Sequence, residues 1–278
     1  MPSDMQDTIG LVNSTAARLR EFLSGLDDGQ WSANSACEGW TVADAAAHVT
    51  ASASTWATNI ARAMAGESGP PEGQSFMTPG ERGSSGLAQN AISYREEAGS
   101  KLLDTFASGY AGLKEQMAKL SEEDWEKPCF HRRGPLPIGD YVALRVQELT
   151  VHGWDIRWGL DPAAEIWPEP LALMVKRVPR WLSNAFRPGL DLPAPVRYRF
   201  DVAGPVPVKE DIVVTGDGFQ TEANASGDAG VVFQCDTGNY ILLLYGRLDV
   251  DQAIAEGRLQ VQGNRERAVD FTAWFKGF

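Results

Sequence analysis

The spacing of apolar residues changes once along this chain, and that change constrains the fold more than any other feature. Up to about residue 186, apolar side chains recur every three or four residues, as on one face of a helix. Beyond the proline-rich segment LDLPAP, apolar and polar residues alternate in short runs separated by Gly, Asp and Asn. We therefore predict a helical domain over residues 1–190 and a small α+β domain over residues 191–278.

The helical part contains long stretches that suit a bundle. They cover residues 5–26, 41–66, 87–119 and 138–159, and the second begins with the capping signature TVAD. A Gly-, Pro- and Ser-rich loop, ESGPPEGQSFMTPGERGSSG, separates the second stretch from the third, and long loops of this kind often border a site. Four long helices with an intervening crossover predict a four-helix bundle. A further helix, PEPLALMVKRVPRWLSNAF, precedes the predicted domain boundary.

Charge and hydropathy exclude several classes of partner. The formal net charge of −12 and the pI near 4.8 argue against binding to nucleic acid or to anionic membranes, which requires clustered Lys and Arg. No apolar run approaches the length of a spanning helix, and the first residues lack the pattern of a secretion signal. We therefore expect a cytoplasmic protein with no nucleic-acid partner and no membrane partner.

The cysteines do not form a recognisable cluster in the sequence. Cys37, Cys129 and Cys235 are widely spaced and odd in number, which suits neither a disulfide framework nor a CxxC metal site. We interpret each as a free thiol, buried or inert.

The histidines are few, and two of them lie in predicted helices. Glu148 and His152, in the segment QELTVHGWD, are four residues apart and share one face of the fourth helix. His48 follows three alanines in the second helix, where small neighbours allow an imidazole to reach an adjacent helix. Two imidazoles and one carboxylate in a bundle core leave coordination positions open, as in catalytic zinc and non-haem iron sites. His48, Glu148 and His152 are therefore candidate metal ligands.

Simpler interpretations of the same residues remain open. An exposed charged stripe would explain the spacing in the fourth helix, with Arg145, Glu148, His152 and Asp155 as its members. His48 is equally compatible with a core histidine bonded to a carbonyl. Asp155 is able to orient His152 from behind or to pair with Arg157.

Other residues carry lesser hypotheses. His131, in the turn HRRG, is interpreted as a surface residue or a substrate contact, and Trp40 as a packing residue at the start of the second helix. The apolar stretch from residue 239 to 257, NYILLLYGRLDVDQAIAEG, is predicted to form one helix. Arg247, in the YGRLD part of this stretch, is a candidate catalytic residue that binds an anionic substrate across the domain interface. A cation facing the carboxyl end of a helix dipole is the alternative for Arg247.

Motifs in both parts of the chain resemble one family. SACEGWTVADAAAHV, followed later by QELTVHGWDIRWGLD, looks like the DinB-like metal-binding bundle of the mycothiol-dependent maleylpyruvate isomerase family. The segment ILLLYGRLDVDQAIAEGRLQVQGNRERAVDFTAWF is similar to the sterol-carrier-like domain that accompanies this bundle. The resemblance implies a DinB-like four-helix bundle followed by a small α+β sterol-carrier-like domain. It also places His48, Glu148 and His152 at the family's metal-ligand positions, with zinc as the usual metal.

The resemblance further implies a class of reaction. The protein would be an enzyme that uses mycothiol, a low-molecular-weight thiol, as the nucleophile for isomerisation or S-transfer on a small electrophilic substrate. A zinc ion with three protein ligands binds such a thiol in its open position and lowers the thiol pKa, so no protein cysteine is needed. Two alternatives remain. One is a thiol-independent metal enzyme on the same residues, either a zinc hydrolase or a non-haem iron oxygenase; the other is a non-catalytic protein that binds a small ligand.

Overall fold

The structure divides into a helical unit and an α+β unit. It is a computed structural model that describes residues 4–78, 86–223 and 227–276, so part of the predicted Gly-, Pro- and Ser-rich loop lies outside the described residues. The contacts separate Met1–Glu165 from Ile166–Phe278. This arrangement of a helical part and a mixed α+β part confirms the predicted fold class. Within the described ranges, no helix has both the length and the apolarity needed to cross a membrane.

The helical unit is built around a four-helix bundle. Its elements are α1 (Asp4–Ser24), α2 (Asp28–Ser32), α3 (Val42–Met64), α4 (Leu87–Ala98), α5 (Leu102–Met117), β1 (Pro128–Cys129), β2 (Leu136–Pro137) and α6 (Ile138–Trp158). Helix α3 packs against α4, α5 and α6, and α1 packs against α5 and α6. The bundle therefore consists of α1, α3, α5 and α6, and its core includes the buried residues Val12, Leu19, Val49, Phe106 and Val146.

Local turns divide helices that the spacing of apolar residues predicts to be continuous. The predicted third helix, residues 87–119, is two helices, because Gly99 adopts a φ of 51° that L residues disfavour and thereby ends α4. The first helix is followed by the short α2, which the sequence analysis missed. At its start, the backbone amides of Asp27 and Gln30 each donate to the other residue's side chain.

Specific contacts fix the starts of the two helices that carry the candidate ligands. Helix α3 begins after Thr41, whose hydroxyl accepts from the Asp44 amide at 3.1 Å while the Asp44 carboxylate accepts from the Thr41 amide at 2.9 Å. This confirms the predicted capping box. Helix α6 begins after the β1–β2 hairpin, and a Cβ atom at Gly139 would lie 2.3 Å from Trp125 Nε1. The first turn of α6 thus requires glycine, since the Trp125 ring occupies the space of a side chain.

The α+β unit contains one mixed sheet. Its elements are α7 (Leu171–Ala185), β3 (Val196–Ala203), β4 (Val208–Val214), β5 (Phe219–Ala223), β6 (Val231–Asp236), α8 (Thr237–Leu244), α9 (Val250–Ala255), β7 (Gln260–Gly263) and α10 (Arg265–Trp274). The strand order is β5-β4-β3-β6-β7, with β3 and β6 parallel and the other pairs antiparallel. Aromatic rings from the sheet and from α8 and α10 meet in its core: Tyr198, Phe200, Phe233, Tyr240 and Phe271.

Helix α7 belongs to the α+β unit by its contacts. The Trp181 indole donates to the Leu244 carbonyl at 2.7 Å and stacks on Tyr245 with ring centroids 4.0 Å apart. The division between Glu165 and Ile166 therefore precedes α7, whereas the prediction placed the boundary after residue 190. The prolines on which that prediction relied mark the junction between α7 and β3, which is a local change of secondary structure inside one unit.

The apolar stretch from residue 239 to 257, predicted as one helix, is also divided. Gly246 adopts a φ of 67° after α8, and the chain turns before α9 begins. Arg247 consequently lies in the turn between the two helices. Its guanidinium donates to the Tyr245 carbonyl at 3.2 Å.

Candidate functional site

The candidate ligands converge from two neighbouring helices. His48 lies in the second turn of α3, and Glu148 and His152 lie one turn apart on α6, which packs against α3. The three residues before His48, at positions 45 to 47, are fully buried alanines. Their small side chains leave room for the His48 imidazole to reach α6.

The geometry of the cluster is compact. His48 Nε2 lies 3.3 Å from Glu148 Oε2, and His152 Nε2 lies 3.6 Å from the same oxygen. The two imidazole centroids are 4.8 Å apart, with the rings inclined at 72°. One ligand atom from each residue lies within 4.8 Å of the others. Both histidine side chains are largely buried, whereas the Glu148 side chain is 37% exposed, which leaves this side of the cluster accessible.

A buried carboxylate contacts His152 on the ring edge that faces away from Glu148. Asp155 is fully buried, and its Oδ2 lies 2.9 Å from His152 Nδ1, the ring nitrogen on the far side from Glu148. A carboxylate in this position fixes the imidazole orientation and leaves Nε2 free to act as a ligand. The charged-stripe interpretation of α6 is therefore wrong, because Asp155 and Arg145 face the interior.

All three cysteines are free thiols, as predicted, but Cys37 is neither fully buried nor remote from the site. Its thiol donates to Asp155 Oδ2 at 3.0 Å and lies 3.8 Å from His152 Nδ1. The loop that carries it is attached to α6, since the Ala36 amide donates to the Asp155 carbonyl at 2.9 Å. Cys129 and Cys235 behave as predicted: burial raises the pKa of each thiol to about 12.

Trp40 is a second residue whose place in the site the sequence analysis missed. Its ring centroid lies 5.3 Å from that of His48 and 6.2 Å from that of His152. Trp40 directly precedes the α3 cap, in agreement with its predicted place at the helix start. The segment SACEGW bends at Gly39, where φ is 76°, and this turn delivers Trp40 against both rings. Neither spacing nor residue type alone indicates such a contact.

Electrostatics distinguish the two histidines. Burial, together with the charge of nearby His152, lowers the pKa of His48. Burial also disfavours a charged His152, but hydrogen bonds with Asp155, Cys37 and Glu148 outweigh it and raise the pKa of His152 well above its ordinary value. Burial would raise the pKa of Glu148, yet the hydrogen bonds with His152 and His48 hold it well below its ordinary range.

The donor atoms of the cluster suit a divalent cation. Two nitrogens and one carboxylate oxygen form a donor set that suits zinc and other first-row transition metals, and three protein ligands leave further positions open. His48, Glu148 and His152 form one of two groups of described residues whose ligand atoms lie close enough to hold a metal. The other group is Cys37, His152 and Asp155, in which Asp155 Oδ2 already accepts from the thiol and contacts the imidazole.

The remaining candidates lie elsewhere. His131 is in the β1–β2 turn, where its Nδ1 accepts from the Arg133 amide at 3.3 Å. Arg247 lies in the α+β unit, and its role toward an anionic substrate stays a prediction.

Family models match both units. Residues 12–157 match the model described as the mycothiol maleylpyruvate isomerase N-terminal domain. Residues 195–276 match the model of the SCP-2 sterol transfer family. A comparison with curated proteins gives no match.

Two solved structures share this fold over most of their length. The crystal structure of the mycothiol-dependent maleylpyruvate isomerase is 17% identical with a TM-score of 0.62, covering 89% of this chain and 90% of that chain. A histidine-to-alanine mutant of the mycothiol-dependent maleylpyruvate isomerase is 16% identical with a TM-score of 0.63, covering 94% and 93%. At these identities the likeness shows the fold, whereas the N-terminal family model matches more than half of the chain. In agreement with the prediction from its motifs, this chain belongs to the mycothiol maleylpyruvate isomerase family.

Proposed function

We propose that this protein is a metal-dependent enzyme that uses a low-molecular-weight thiol, mycothiol, to isomerise a small electrophilic substrate or to transfer sulfur to it. The observation that carries the proposal is the convergence of His48 Nε2 and His152 Nε2 on Glu148 Oε2, at 3.3 and 3.6 Å. These three residues hold one divalent ion, with zinc as the expected metal. The family match supports the choice of thiol.

The bound metal supplies a Lewis acid that lowers the pKa of the thiol, so that the reactive thiolate exists near neutral pH. The chain's own residues prepare the site for this chemistry. Asp155 holds the Nδ1 edge of His152 and keeps its Nε2 directed at Glu148. The Trp40 ring lies beside both imidazoles, with centroids 5.3 and 6.2 Å away.

A small electrophile with a conjugated double bond suits these requirements. Reversible addition of sulfur to such a bond leaves a single bond about which the substrate rotates, and expulsion of the sulfur then restores the double bond in the other configuration. If the sulfur is not expelled, the product is a thioether of the thiol and the substrate, and the reaction is an S-transfer. Neither route uses a protein thiol as the nucleophile.

Metal analysis and a thiol titration test the proposal together. Purified protein is expected to contain one equivalent of divalent metal and to bind mycothiol only when the metal is present. Isothermal titration of the metal-loaded and the chelator-treated protein measures this difference. A loaded protein that hydrolyses or oxidises substrates without any thiol would instead support the thiol-independent alternative, because the same donor set serves hydrolases and iron oxygenases.

We expect the change Asp155→Asn to weaken metal binding by about 10- to 100-fold, the range typical of residues that support a ligating histidine. The amide cannot supply the charged acceptor that His152 Nδ1 has at 2.9 Å. Competition with a chromophoric chelator measures the affinity. Asp161→Asn is the control, since Asp161 is an exposed residue just beyond α6 that accepts from the Ala163 amide. Equal affinity in the Asp155→Asn and wild-type proteins would show that Asp155 does not support the ligand.

Removal of the metal is expected to lower the melting temperature, because the ligands connect α3 to α6. A metal present at 100 times its Kd stabilises the folded state by about 2.7 kcal/mol, which corresponds to roughly 5–10 °C for a domain of this size. Calorimetry with and without a chelator measures the shift. In the variant His48→Ala the chelator is expected to have no effect. A wild-type melting temperature that does not respond to chelation or to added zinc would contradict the prediction.

A further inference from the structure

Arg145 is a buried cation whose polar partners are all neutral. It lies on α6, one turn before Glu148, and is 1% exposed. Its hydrogen bonds go to a carbonyl and two hydroxyl groups, and within the described ranges it forms no ion pair with a carboxylate. Its Nε has no hydrogen-bond partner among the described residues. Burying an unpaired charge is costly, so the stability of the bundle does not explain why an arginine occupies this position.

The contacts of Arg145 on α3 lie within one turn of His48. One terminal nitrogen donates to Ser52 Oγ at 2.6 Å, and the other donates to the Val49 carbonyl at 2.8 Å. Ser52 Oγ in turn donates to the His48 carbonyl at 3.0 Å. The guanidinium of α6 therefore connects the helix that carries Glu148 to the turn of α3 that carries His48.

Helix α5 and two aromatic rings hold the guanidinium in place. Arg145 also donates to the Tyr110 hydroxyl, which itself donates to the Val49 carbonyl at 3.2 Å. The guanidinium carbon lies 5.6 Å from the centroid of the Trp56 ring and 5.3 Å from that of Tyr110. The planar guanidinium lies near two aromatic rings and donates to both α3 and α5. The ammonium group of a lysine cannot reproduce this geometry.

We propose that Arg145 is a positioning residue that sets the location of His48 relative to Glu148 and His152. The inference rests on the metal site of the proposed function. Glu148 and His152 share α6, so that their separation follows from one helix, whereas His48 must be placed from another helix. Arg145 provides that link through backbone and hydroxyl groups adjacent to His48.

Cobalt(II) affinity and the absorption spectrum of the cobalt-loaded full-length protein test this role. We expect Arg145→Lys and Arg145→Met both to weaken cobalt binding about 10- to 100-fold and to change the intensity of the visible d–d bands. The control is Arg199→Lys in the α+β unit, which removes a guanidinium that donates to Asp211 from Nε and Nη2, each at 2.9 Å. This variant is expected to bind cobalt like the wild type.

The metal-free stability of Arg145→Met separates positioning from a merely structural role. Its former partners keep other hydrogen bonds, because Tyr110 still donates to the Val49 carbonyl and Ser52 to the His48 carbonyl. We therefore expect an unchanged or higher melting temperature together with weaker cobalt binding. A loss of cobalt binding that occurs only with a matching loss of stability would overturn the inference.

Other outcomes distinguish this inference from the proposed function. If Arg145→Lys binds cobalt like the wild type while Arg145→Met binds it more tightly, Arg145 acts by charge alone and the positioning role is wrong. Wild-type affinity and spectra in both variants would also reject that role, with the metal site itself intact. Failure of the wild-type protein to bind cobalt or zinc would overturn the proposed function and this inference together.

Discussion

The change His152→Ala is expected to abolish metal binding and to reduce turnover to the level of the metal-free protein. His152 offers one of three candidate ligand atoms that lie within 4.8 Å of one another, and it is the member of this group that contacts Asp155. Its loss leaves only His48 and Glu148. The decrease in metal affinity should therefore exceed the roughly 10- to 100-fold decrease expected for a residue, such as Asp155, that contacts a ligand without binding the metal. Elemental analysis after gel filtration against a chelator measures the bound metal.

The third histidine provides the matched control. His131 lies in the β1–β2 turn and is not a member of the ligand cluster. The variant His131→Ala is expected to retain one equivalent of metal and the wild-type circular dichroism spectrum. A folded His152→Ala protein that also retained one equivalent would show that the metal is held by other residues.

Turnover is expected to require an added low-molecular-weight thiol and to fall to background without one. The nucleophilic sulfur in the proposed reaction comes from outside the chain, and three protein ligands leave the metal a position for it. The assay uses metal-loaded protein freed of small thiols by gel filtration, with mycothiol then added back. Undiminished turnover in the thiol-free sample would reject the thiol-dependent mechanism and favour a metal enzyme that activates water or oxygen.

The same assay, applied to cysteine variants, shows whether the nucleophilic sulfur belongs to the added thiol or to the protein. Simultaneous replacement of Cys37, Cys129 and Cys235 by serine is expected to preserve turnover. Burial raises the pKa of the Cys129 and Cys235 thiols to about 12, so neither is a thiolate near neutral pH. Serine at position 37 retains a hydroxyl that can donate to Asp155 in place of the thiol. Loss of turnover in a folded, metal-loaded triple variant would point to a protein thiol as the nucleophile.

Much of the fold follows from local patterns. The helical period of the first part, the Thr41 cap and the alternation after residue 195 correctly predict the bundle and the sheet, because each depends on neighbours within a few residues. The breaks at Gly99 and Gly246 were missed, since a periodic pattern continues across a glycine whether or not its φ is positive. The boundary between the units could not be derived from the proline-rich segment, because it depends on which unit α7 contacts.

The candidate ligands follow from the sequence. Glu148 and His152 are four residues apart, which places them on one helix face, and the family motif identifies His48 as their partner. The residues around these ligands follow from the tertiary structure. Cys37 and Trp40 reach the site through a loop that is attached to α6 at Asp155, and Arg145 on α6 donates to the turn of α3 that follows His48. These contacts join residues far apart in the chain, so their distances depend on how the helices pack and not on any pattern within one helix.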